Sequence, residues 1–173
     1  MSELEQVLQT LKQPEYVHVL LNPMPVYGLS CGVLGLIIAL LLKSRPAQLV
    51  GLIMVIVACA SVWPVVRSGR RGYDRVYSMS NAAGQQWLDV HEDRAEGGQW
   101  VFFATGLVAL ATSLIPRKFP RTATVLVILT LMVSLVALGT GAWISHAGGQ
   151  VRHAEFRNGP PPKIEKDEEW PQT

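Results

Sequence analysis

Charge is what this 173-residue chain has little of. Asp, Glu, Lys and Arg make up 16% of it, against roughly 25% in soluble domains. The deficit is local: Val26 to Leu42, Ala47 to Val66, Trp100 to Ile115 and Ala123 to Ile144 contain no charged residue at all. A helix needs about 20 apolar residues to cross a bilayer, with a working range of roughly 17–25. The second and fourth runs meet this directly, and the first and third borrow flanking residues. A soluble protein of this length could not surround four all-apolar helices with a polar shell. The composition therefore predicts an all-α, four-helix transmembrane bundle.

Other absences narrow the function. GxGxxG, a P-loop, CxxC and HExxH are missing, as is a legible Ser-His-Asp spacing, so the common nucleotide, metalloprotease and serine-hydrolase signatures are not there. The basic residues form no aromatic-studded stripe, which argues against nucleic-acid partners. No ionisable residue stands inside a span, where transporters keep their coupling groups. Every carboxylate lies outside the spans without an obvious pair, so the chain is not expected to be an enzyme in its own right. No cleavable signal peptide is legible, because apolar sequence begins only at Val26 after a polar lead-in without a basic cluster. Cysteine is limited to Cys31 and Cys59, inside the first two spans. Antiparallel helices would permit a disulfide between them, but two small apolar residues is the preferred reading.

What is present organises the chain into three parts. Residues 1–21 form an interfacial helix and lead-in: Ser2 with Glu5 is a capping-box pattern, and Leu4, Val7, Leu8 and Leu11 follow at helical spacing. Residues 22–156 form the membrane domain, with spans at about 26–42, 47–66, 98–115 and 123–146. Pro23 and Pro25 predict an extended entry to the first span. "KSRP" and "PRKFPR" make short turns, and residues 67–99 make a long polar connection, whose "QQWLDVHEDRAEGGQW" continues the third span outward as helix. Residues 157–173 are a Pro-rich charged tail, with Ile164 and Trp170 as anchors for a partner.

Four spans put both termini, the 67–99 connection and all four histidines on one side. His146 lies two turns beyond Gly139 on one helix face, with Ala142 between, and His91 stands likewise over Gly98, with Ala95 between. Such smooth strips would let a flat haem approach two axial imidazoles. Helix packing explains small residues equally well. His91 and His146 are the expected ligands, His153 is the substitute, and His18 stands apart. Arg67, Arg70 and Arg71, with Arg75, are candidates for pairing with haem propionates. Zinc or copper would demand three or four donors, and both cysteines lie away from the histidines.

Three stretches, "NPMPVYG", "VHEDRAEGGQWVFFATGLVALA" and "GTGAWISHAGGQVRHAEF", resemble the bacterial membrane proteins catalogued as domain of unknown function 2231. The likeness covers roughly residues 20–156 and rests on His91, Gly148, Gly149 and His153. Asn22 and Tyr27 stand where that family usually has histidines. That family has no settled activity, but its members resemble redox components and can occur beside c-type cytochrome modules, so the resemblance points toward electron transfer. The combined expectation is a membrane subunit of a redox or respiratory-type complex, holding haem b near one membrane face, with lipid and other membrane or periplasmic subunits as partners. A cofactor-free assembly subunit is the alternative. The short loops carry Lys43, Arg45, Arg117, Lys118 and Arg121 with no acid. This predicts a bacterial inner-membrane protein with its histidine end and both termini in the periplasm.

Overall fold

The computed structural model describes residues 2–163, and helix is the only regular secondary structure among them. The tail anchors Ile164 and Trp170 lie outside the described residues. Helix α1 (Glu3–Thr10) starts with the expected capping box: Ser2 Oγ accepts from the Glu5 amide, and Glu5 accepts from the Ser2 amide at 2.9 Å. Its Leu4, Val7, Leu8 and Leu11 are exposed.

The entry to the first span is helical, not extended. Pro14 and Pro23 open α2 (Pro14–Leu21) and α3 (Pro23–Leu41) near their first turns, where a missing N–H costs nothing. Asn22 between them keeps helical dihedrals of −53° and −34°, so the chain passes the prolines without uncoiling.

A tight turn leads to α4 (Arg45–Ala60), capped by Ser44. Ser61 and Pro64 interrupt the helix, because proline removes a main-chain donor. The chain then resumes as α5 (Val62–Ser78). The polar connection read as 67–99 is therefore a helical hairpin whose turn is only Met79–Asn81, Asn81 capping α6 (Ala82–Leu114). Two 3-10 turns, Ile115–Arg117 and Pro120–Thr122, lead to α7 (Ala123–Arg152).

Four continuous helical stretches are apolar enough to cross a membrane: Pro14–Leu41, Arg45–Ser78, Ala82–Leu114 and Pro120–Arg152. The last three run 33 or 34 residues, about 50 Å at ~1.5 Å per residue, against a hydrocarbon core of about 30 Å. Each is longer than the span expected from the charge-free runs alone. The surplus lies on the side of the termini, where Trp63, Trp100 and Trp143 are exposed at the level an aromatic belt occupies.

Close backbone approach holds the membrane part together. A Cβ on Gly32 would lie 3.1 Å from the Val55 amide, and one on Gly51 would lie 3.1 Å from that of Leu36. Helices α3 and α4 therefore meet through their main chains, as membrane helices do where dispersion replaces hydrophobic drive. Between α6 and α7 the Thr112 and Thr130 hydroxyls bond at 2.8 Å, both fully buried. Cys31 is exposed and Cys59 buried, and both are free thiols.

Candidate functional site

Beyond the tryptophans the helices form two pairs. Helix α2 packs on α5, α6 packs on α7, and α2 has at most marginal contact with α7. The first pair is close because α5 offers glycine. A Cβ on Gly72 would lie 2.9 Å from the Glu15 amide and Cα, and Arg75 bridges to Glu15 at 2.9 Å. This contact seats His18 of α2 on α5. Its Nδ1 is 2.9 Å from the Val65 carbonyl, and its ring lies over Gly69, whose Cβ would come within 3.0 Å of Nδ1 and Cε1.

The second pair repeats the arrangement. His91 of α6 has Nδ1 3.0 Å from the Ile144 carbonyl of α7, and its ring lies over Gly148, where a Cβ would again come within 3.0 Å of Nδ1 and Cε1. A carbonyl only accepts, so each Nδ1 carries the proton of its bond. In the neutral ring with that tautomer, Nε2 holds the lone pair. The two rings approach in a T-shaped arrangement, with centroids 6.1 Å apart and planes at 78°. His91 is nine residues outward of Trp100, about 13 Å along the helix, so the pair lies just beyond the tryptophan level.

A partly open cavity of about 770 Å³ surrounds the pair, within the range of about 300–1,000 Å³ found for cofactor and small-molecule sites. Val26, Val62, Phe102 and Gly141 line its membrane side. Arg70, Arg75 and Arg152 are its arginines. Among the described residues no three His, Cys, Asp or Glu side chains come together as a metal cluster.

The expected site residues separate. His91 lines the cavity, but the ring it meets is His18, the histidine thought to stand apart. His146 is exposed on the other face of α7, its ring 6.0 Å from that of Trp87. His153 reaches the rim, exposed, with Nδ1 2.9 Å from Glu155 Oε1. The Glu155 carboxyl is held below the usual carboxylate range, first by its own backbone amide and then by His153.

Gly98 does not clear a strip for a flat ligand. A Cβ there would lie 2.7 Å from Ile144 Cδ1, so it marks the α6–α7 crossing. Gly139 has nothing within 4 Å and is exposed. The glycines beside the histidine rings are Gly69 and Gly148. Arg70 lines the cavity but bridges to Glu96 at 2.7 Å. Arg67 lies over the Trp63 ring at 5.3 Å, and Arg71 is exposed; neither lines the cavity.

Sequence reasoning missed His18 because it read α5 as loop and so supplied no helix for that imidazole to lean on. The Gly69 and Gly72 pair, three residues apart in an arginine-rich stretch, was the available signal of a close helix partner. No protein-family model, curated protein or solved structure matches this chain.

Proposed function

We propose that this protein is a subunit of a bacterial inner-membrane redox complex and holds a b-type haem between His18 and His91 for electron transfer. The imidazole pair carries the reading. The His18 and His91 rings are 6.1 Å apart. Each also donates its Nδ1 proton to a backbone carbonyl, the outer-shell bond that fixes tautomer and ring orientation in metal-binding histidines.

When bound, a haem would supply one-electron redox chemistry. His18 and His91 would hold the iron, the Val65 and Ile144 carbonyls orient the two rings, and the apolar side chains at the cavity floor would keep water away. The resemblance to domain of unknown function 2231 agrees with a redox role. Basic short loops facing the cytoplasm would put the cavity in the periplasm, where membrane or periplasmic subunits of the same complex are the electron partners.

Visible spectra of protein purified from haem-supplied cells, oxidised and reduced, test this. Wild type should show the reduced α-band of six-coordinate low-spin haem. His18→Ala and His91→Ala should each lose it or turn five-coordinate, while His146→Ala keeps it. Protein that is colourless both alone and in its native complex would make a cofactor-free assembly subunit the better reading. A low-spin spectrum surviving both His18→Ala and His91→Ala would remove the pair as ligands.

A further inference from the structure

We infer that the cleft between α2 and α7 takes its tetrapyrrole edge-first with the carboxylates outward, and that Arg152 binds one of them. This rests on the haem reading above and adds the orientation of the ligand and the residue that selects for its charge. The first observation is the gradient along the cavity. Its membrane-side floor is Val26, Val62, Phe102 and Gly141, and its arginines stand toward the outer end. An amphipathic disc with two propionates on one edge has one favourable orientation in such a slot.

The second observation is the position of the arginines relative to the histidines. Arg152 is four residues beyond Gly148, hence one turn outward on the face that meets His91. Arg75 is six residues beyond Gly69, the glycine against His18. Each histidine thus has a cavity-lining arginine on its outer side. The two cations differ in commitment. Arg75 bridges to Glu15, whose side chain is only 15% exposed, and Arg70 deeper on the same helix bridges to Glu96. Among the described residues Arg152 has no acidic partner. It is the guanidinium available for a propionate at the open side of the slot, where its planar fork matches a carboxylate.

The test compares iron protoporphyrin IX with its dimethyl ester, which keeps the macrocycle and the metal but lacks both charges. Each is titrated into the full-length protein in detergent and followed by Soret absorbance. Arg152→Gln should weaken the free-acid porphyrin about three- to tenfold, the scale of one partly exposed charge-assisted contact, and leave the ester unchanged. Arg152→Lys should recover part of the loss, and Arg71→Gln, outside the cavity, should alter neither titration. An equal loss for acid and ester would show that Arg152 acts only through the fold and overturn the inference, as would no loss at all. Binding of both porphyrins that is low-spin in wild type but indifferent to Arg152→Gln leaves the haem reading standing and this one refuted. Wild type that binds neither porphyrin refutes both.

Discussion

Gly148→Ala sets two effects of opposite sign against each other. Inside a helix Ala is favoured over Gly by about 0.5–1 kcal/mol, so a glycine with open space around it gains stability on replacement. At Gly148 the new methyl would lie 3.0 Å from Nδ1 and Cε1 of His91, and a comfortable carbon contact is about 3.5–4 Å. The imidazole would have to retreat, yet its Nδ1–H bond to the Ile144 carbonyl at 3.0 Å holds it in place. Overpacking of this kind costs about 1–3 kcal/mol, and swinging the ring away sacrifices a bond worth about 0.5–1.5 kcal/mol instead. Either response offsets the helical gain of about 0.5–1 kcal/mol, leaving a net change between about zero and a loss of about 2 kcal/mol. For a chain of this size Tm should stay level or fall by up to about 8 °C. Gly139, with nothing within 4 Å, supplies the contrast: Gly139→Ala should raise Tm by about 1–4 °C. Thermal unfolding of the haem-free protein in detergent, followed by helical circular dichroism, measures both. If Gly148→Ala rises in parallel with Gly139→Ala, the His91 ring is not seated on α7 and the site geometry is wrong.

Two further outcomes follow from the packing. Arg157 gathers the Gln150 and Val151 carbonyls at 2.7 and 2.9 Å and the Asn81 side chain at 3.2 Å. Arg157→Ala should therefore speed amide exchange at residues 153–157 about tenfold or more while leaving the spans protected. Ser44→Cys and Ser80→Cys, each placed in a chain whose Cys31 and Cys59 are replaced by Ala, should label from opposite sides of the membrane; labelling from the same side would refute the four-span topology.

The number of spans was legible because burying charge in hydrocarbon is so unfavourable that it writes charge-free runs directly into the sequence. The capping box of α1 was equally local, since Ser2 and Glu5 are within one turn of each other. Helix α5 was not legible. Its four arginines and Asp74 look like a solvated loop, and it is helical because Val65, Gly69 and Gly72 put a face against α2, a contact between segments some fifty residues apart. Pro23 misled for a related reason: proline forbids a donor, and whether the chain uncoils or bends there depends on what the flanking helices pack against.

The same division runs through the site. Sequence identified the four histidines and nominated His91, but the glycine its ring meets is Gly148 and not Gly98. Spacing along a single helix could say which glycine shares a face with which histidine, and so nominated Gly98 and Gly139. Which glycine meets which ring across a helix pair is a question of interhelical register, and only the tertiary structure sets it. It turned His146 outward beside Trp87, brought His18 up to His91, and left Arg152 at the mouth of the cleft, because α2 leans on α5 and α6 on α7 while α2 and α7 stand apart.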